Sequence, residues 1–177
     1  IFHKVDPALT IQFSLKDGDL VKNGDVGFIV EGSARSILTA ERLVLNCMQR
    51  MSGIATYTNK LCQLIANSNA KLLDTRKTTP NFRLMEKWAV AIGGGTNHRF
   101  GLYDMVMLKD NHNDSAGGIT AAVNRTKAYL LEKGLDLGIE VETRNMDEVN
   151  EVLAVRGVQR IMLDNFSPSA CVEAVKV

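Results

Sequence analysis

The sequence has no apolar stretch near the roughly 18 residues that a membrane-crossing helix needs, so a bilayer span is not expected. It has little charge imbalance: 21 Lys and Arg stand against 20 Asp and Glu, for a net charge of +1. There is no basic stripe interleaved with aromatics, which argues against nucleic acid as a partner. Its three cysteines, Cys47, Cys62 and Cys171, are an odd number, far apart, with no Cys-x-x-Cys pair. That usage excludes a closed disulfide framework and gives no zinc or redox motif, so reduced thiols in a cytoplasmic protein are expected. The opening Ile1-Phe2-His3-Lys4 lacks an initiator Met and a signal-peptide pattern, giving the expectation that the chain begins within a longer protein.

What is present is a local concentration of cations. Asp74-Thr75-Arg76-Lys77-Thr78, Gly93-Gly94-Gly95-Thr96-Asn97-His98-Arg99 and Lys109-Asp110-Asn111-His112 carry Arg76, Lys77, His98, Arg99 and Lys109 beside glycine-rich turns or at the end of an apolar run. Charge at the end of a buried strand needs a partner or a purpose. In a nearly neutral chain, such clustering points to a pocket for a small, highly charged anion. Arginine grips carboxylate or phosphate through a planar fork, lysine acts as a point charge, and three glycines let backbone approach a ligand closely.

The pattern divides the chain at residues 38 and 70. Residues 1–38 are punctuated by Gly18, Gly24, Gly27 and Gly32, with β-prone pieces at 11–14 and 26–30, and read as part of a small β-rich domain. Residues 39–70 turn helical, with an apolar stripe through Leu43, Cys47, Met51 and Leu61, Thr39 as the expected N-cap, and Gly53 as a site of close approach or a kink. From 71 onward, candidate strands at 71–75, 105–109, 138–142 and 160–164 alternate with helical segments at about 83–92, 117–133 and 146–156, and another helix begins near Ser167. Such alternation predicts a parallel sheet or a (β/α) barrel, whose active site lies at the carboxyl ends of the strands. A whole barrel takes about 250 residues, so an incomplete one is expected.

Those strand ends also carry Glu142 and Asp164. Glu140 and Glu142 share a face because strand side chains alternate, one nearer the rim and the other deeper. Glu142 and Asp164 either hold a hard cation such as Mg²⁺ or neutralise Arg76, Arg99 and Lys109. His112 either contacts a ligand or orients the loop carrying Lys109, and no histidine pair has zinc spacing.

The runs Glu41-Arg42, Gln49-Arg50-Met51-Ser52-Gly53, Asp74-Thr75-Arg76-Lys77-Thr78-Thr79-Pro80, Glu86-Lys87-Trp88-Ala89-Val90, Gly93-Gly94-Gly95-Thr96-Asn97-His98-Arg99, Lys109-Asp110-Asn111-His112, Glu140-Val141-Glu142 and Leu163-Asp164-Asn165 resemble, in order, the quinolinate phosphoribosyltransferase family. The resemblance covers nearly the whole chain. It implies part of a small α/β sandwich domain (1–38), linking helices (39–70) and a partial, open α/β barrel carrying the active site (71–177). It also implies phosphoribosyl transfer from phosphoribosyl pyrophosphate to quinolinate with decarboxylation, in a cytoplasmic homodimer that uses Mg²⁺. By motif, Arg76, His98, Arg99 and Lys109 would hold the pyridine dicarboxylate, Thr75 would also contact substrate, Lys77 would face the phosphoribosyl donor, and Glu142 and Asp164 would manage ribose hydroxyls and the metal. Lys77, Lys109, Glu142 and Asp164 would be the catalytic set, and Arg42 would reach the partner subunit's site. The family's Pro-Gly-Leu-Arg is here Pro80-Asn81-Phe82-Arg83, and its later phosphate-binding loops and the first half of its sandwich are expected to lie outside the chain. Two other readings compete: a related phosphoribosyltransferase with a different acceptor, and a non-catalytic anion-binding or carrier module, since 16–25 resembles half of a lipoyl or biotinyl domain.

Overall fold

A computed structural model describes residues 1–177, in two compact units, Ile1–Phe100 and Gly101–Val177. The first unit opens with a short helix α1 (Phe2–Val5) and an antiparallel pair, β1 (Thr10–Phe13) and β2 (Phe28–Glu31), in register from Thr10 opposite Glu31 to Phe13 opposite Phe28. Then comes a 31-residue helix, α2 (Ala34–Leu64). Phe2, Leu9, Ala40 and Val44 form the core beneath the hairpin, and Phe2 meets Phe28 edge-on with ring centroids 6.2 Å apart.

Helix α2 starts earlier than expected. Ser33, not Thr39, is its N-cap, and the Ser33 hydroxyl accepts from the Ser36 N–H. Thr39 lies a turn and a half inside, where its hydroxyl donates to the Arg35 carbonyl at 2.7 Å, a bond available to threonine within a helix. Gly53 makes no close approach within this chain: α2 is continuous there, and a Cβ at that position would meet open space.

Helix α3 (Arg83–Ile92) packs along α2, and its end shows where glycine is required. A Cβ on Gly93 would collide with the Ala55 carbonyl oxygen and the Thr58 side chain, and Gly94 adopts φ +91°, a region open to glycine. The chain then returns to pair Thr96 with Leu73 in a single parallel bridge. The strand expected at 71–75 is reduced to that one bridge, for a local reason. The Thr96 N–H donates to the Leu72 carbonyl and the Asp74 N–H to the Thr96 carbonyl, as in a parallel ladder. The next rung would take the His98 N–H to the Asp74 carbonyl, but the Asp74 carboxylate accepts it instead, at 2.8 Å.

The second unit is a run of β and α elements: β3 (Val106–Leu108), α4 (Asp110–Ala116), α5 (Ile119–Lys133), β4 (Ile139–Thr143), α6 (Met146–Ala154), β5 (Arg160–Leu163) and α7 (Pro168–Ala174). The three strands are parallel in the order β3-β4-β5, an arc of sheet of the kind that (β/α) barrels contain, and with the antiparallel pair of the first unit they bear out the α/β expectation. One face is apolar: Leu108, Ile139 and Val141 bury against Ile119, Val123 and Leu130 of α5 and Val152 of α6. Helix α4 was not foreseen, since Asp-Asn-His-Asn-Asp-Ser-Ala offers no apolar period. Asn145 caps α6 by accepting from the Glu148 N–H at 3.0 Å, and Gly134 ends α5 at φ +64°.

Candidate active site

In the first unit, helix α3 anchors the two cation-bearing loops. Arg83 and Lys87 lie one turn apart and therefore on one face. Arg83 donates to the Arg76 carbonyl (3.3 Å) and the Thr78 hydroxyl (3.1 Å) on the first loop, and to the Phe100 carbonyl (3.0 Å) beyond the second. Lys87 forms a short ion pair with Asp74 and donates to the His98 carbonyl at 3.0 Å. The pair is buried, its side chains 3% and 7% exposed. Asn97 closes the arrangement by donating to the Asp74 carboxylate (2.6 Å) and the Lys87 carbonyl (2.8 Å).

Arg76, His98 and Arg99 thus sit on two loops tied to one helix, and each is half-buried. The Arg76 Nε is buried and has no acceptor within the chain, the condition in which an anionic ligand would be welcomed. Lys77 is exposed, while the Thr75 hydroxyl accepts from the Lys77 N–H at 3.0 Å and shapes the turn.

Arg42 lies elsewhere, exposed on α2. The same helix borders an open cavity of about 550 Å³ lined by Asn46, Gln49, Arg50, Gly53, Ile54 and Tyr57, and neither Arg76, His98 nor Arg99 lines it. Arg50 crosses from α2 to Glu86 of α3 with two hydrogen bonds, at 3.1 and 2.7 Å, and the Thr79 hydroxyl donates to the same oxygen at 2.8 Å. Burial pushes the Glu86 carboxyl upward, but these donors outweigh it and hold the group below the ordinary carboxylate value.

In the second unit the charged residues share the sheet face opposite the apolar one. Glu140 stands across from Met107 and from Arg160, and Glu142 across from Met162. Glu140 is the deeper carboxylate, 1% exposed, with Arg160 Nη1 at 3.1 Å; Glu142 is nearer the rim, with Lys109 Nζ at 3.3 Å. Asp164 follows β5 directly. Its N–H donates to the Thr143 carbonyl at 2.9 Å, and its carboxylate accepts from Asn165 at 2.9 Å. Lys109, Glu142 and Asp164 therefore lie at the carboxyl ends of three adjacent parallel strands. His112 Nδ1 accepts the Lys109 backbone N–H at 3.0 Å and so fixes the start of α4, a positioning role for this histidine. No group of three or more His, Cys, Asp or Glu side chains is assembled in a metal-binding arrangement, so a cation here would rely on two carboxylates and water.

Asp74 and Glu86–Lys87 received no function from sequence reasoning. Lys87 reads as one more polar residue on a short helix, and only the Asp74 carboxylate, 13 residues earlier, explains its burial.

The family model described as quinolinate phosphoribosyl transferase, C-terminal domain, matches residues 54–177, and its N-terminal counterpart matches 1–52. A Nicotiana tabacum protein named quinolinate phosphoribosyltransferase [decarboxylating] 1b is 52% identical over 171 residues, covering 94% of this chain and 48% of that protein. A Synechocystis protein named probable nicotinate-nucleotide pyrophosphorylase [carboxylating] is 44% identical across the full 177 residues, which are 59% of its length. The crystal structure of NadC from Streptococcus pyogenes superposes with a TM-score of 0.91 at 42% identity, covering 99% of this chain and 61% of that one. The nicotinate-nucleotide pyrophosphorylase from Francisella tularensis gives 0.89 at 46% identity with the same coverage. The chain spans about half the length of the plant relatives it matches.

Proposed function

Because this chain belongs to the quinolinate phosphoribosyl transferase family, we propose that the enzyme containing it converts quinolinate and phosphoribosyl pyrophosphate into nicotinate mononucleotide, pyrophosphate and carbon dioxide. The observation that carries this reading is the pair of cationic loops on α3, with the Arg76 Nε buried and lacking an acceptor in the chain. A ring with two adjacent carboxylates can engage two separately anchored cations at once.

By the family motifs Arg76, His98, Arg99 and Lys109 are assigned to the two carboxylates of quinolinate, and Thr75 shapes the turn that carries Arg76. The pyridine nitrogen attacks the ribose anomeric carbon as the bond from that carbon to pyrophosphate breaks. The ribose carbon is then oxocarbenium-like, and the Glu142 carboxylate stabilises that positive charge while Lys77 faces the departing phosphates. The bond from ring C2 to its carboxylate breaks next. Its electron pair remains on the ring carbon, beside the now cationic nitrogen, until a proton is taken up. The Lys109 ammonium, kept in place by its contact with Glu142, offsets that electron density.

Glu142 and Asp164 suit Mg²⁺, being hard oxygen donors at the ends of neighbouring strands. Bound there, the ion would neutralise the charge of the departing pyrophosphate. Two further features belong to the same proposal: a homodimer in which Arg42 serves the partner's site, and a cytoplasmic location, in keeping with three unbridged cysteines.

The test is to incubate the full-length enzyme with phosphoribosyl pyrophosphate and quinolinate carrying a labelled 2-carboxylate. Release of labelled carbon dioxide together with nicotinate mononucleotide is expected. Phosphoribosylation of nicotinate without carbon dioxide release would overturn the reading.

A further inference from the structure

Three charged side chains of the first unit belong to no ligand-binding role described so far, although they touch both ligand-bearing loops. Lys87 bridges the Asp74 carboxylate and the His98 carbonyl, while Arg83 bridges the Arg76 carbonyl and the Phe100 carbonyl. Asp74 returns across the same gap to the His98 N–H and the Asn97 amide. The Lys87–Asp74 pair is almost wholly buried and its charges cancel, so it offers no net charge to an anion. A buried ion pair is weak support for stability, because well-packed apolar residues often serve as well. What this pair adds is a fixed distance. It takes the rung that would have continued the Leu73–Thr96 pairing and turns the His98–Arg99 loop away from the strand path.

We propose that Asp74, Arg83 and Lys87 are positioning residues that set the spacing between the Arg76 loop and the His98–Arg99 loop, and with it the preference for a ring bearing two adjacent carboxylates over one bearing a single carboxylate. The inference rests on the reading of quinolinate as substrate. A ligand with one carboxylate needs only one loop in place and is indifferent to the gap. A vicinal dicarboxylate engages both loops at once, and a misplacement of about 1 Å can cost two orders of magnitude.

Two variants of the full-length enzyme test it. Arg83→Lys keeps the charge but loses the fork that reaches both loops. The double variant Asp74→Asn with Lys87→Met removes both buried charges together, so that no lone ion is left to unfold the protein. Calorimetric affinities for quinolinate and nicotinate, KM for each substrate and the thermal unfolding midpoint are measured for each. The expected result is a loss of quinolinate affinity of about tenfold or more, with nicotinate affinity and the KM for phosphoribosyl pyrophosphate moving by less than about threefold. Unchanged quinolinate affinity in a folded variant would overturn the proposal, as would equal losses for both ligands in step with a lower unfolding midpoint. Absence of quinolinate binding in the unaltered enzyme would instead overturn the functional reading on which the proposal stands.

Discussion

Arg76 and Glu86 show two opposite uses of charge within ten residues of chain. The Arg76 guanidinium has a buried Nε with no acceptor supplied by the chain, and is thus poised for an external one. Arg76→Ala is expected to cost about 2–4 kcal/mol of transition-state stabilisation, by loss of a charge-assisted pair. Steady-state kinetics of the full-length enzyme with quinolinate check this, and an unchanged kcat/KM would remove Arg76 from the site. Glu86, by contrast, is fully engaged with Arg50 and Thr79, and its carboxyl is held below the ordinary value of 4.5 against the upward push of burial. A carboxyl lowered in the folded state binds its proton more readily in the unfolded state. Its contribution is therefore whole above about pH 4.5 and is lost as pH falls through the lower folded-state value. Glu86→Gln should lower stability by about 1–2 kcal/mol near neutrality, a modest figure because Arg50 is largely exposed. That deficit should shrink towards zero in acid. Urea unfolding of both proteins across a pH series gives the difference directly, and a deficit independent of pH would show that the carboxylate's charge plays no part.

At the scale of the element, the α2–α3 pair gives two glycines opposite packing environments. A Cβ at Gly53 meets nothing within 4 Å on an otherwise regular helix, whereas one at Gly93 meets the backbone of Ala55 and the side chain of Thr58. Gly53→Ala is expected to stabilise this chain by about 0.5–1 kcal/mol through helix propensity. Gly93→Ala is expected to destabilise it by about 1–3 kcal/mol through forced separation of the helices. Denaturant midpoints of the two variants decide the matter, and equal shifts would refute the packing argument. Sequence pattern could not show the contact at Gly93, because the clash comes from Ala55 and Thr58, far back along the chain. The same limit explains what else was legible. Long periodic elements such as α2, and strands with strong alternation such as β4, announce themselves locally. Helix α4 lacks any apolar period, and the 71–75 strand was shortened by a side chain taking a backbone partner. For the site, cations beside glycines and strand ends were visible as a pattern. The burial of Lys87, the depth of Glu140 against Glu142, and the Arg50–Glu86 link depend on tertiary pairing and were not.

For the whole molecule, a net charge of +1 means that any attraction for multiply charged anions would arise from local placement rather than from a general field. Arg42 is the outlying member of the proposed set, exposed on α2 while Arg76 sits on a loop held by α3. If it acts on a neighbouring subunit, a two-fold dimer holds two equivalent sites, each combining Arg76 of one subunit with Arg42 of the other. Arg42→Ala and Arg76→Ala should then each retain only a small residual activity alone. Within a mixed dimer one site has lost both arginines and the other has lost neither. Random re-association of equal amounts makes half the dimers mixed, so activity should return to about a quarter of the unaltered level. The recovery should grow with subunit exchange and vanish when exchange is blocked by cross-linking each variant beforehand. Were Arg42 to serve its own subunit, every site in every combination would lack one arginine, and no mixing ratio would restore turnover.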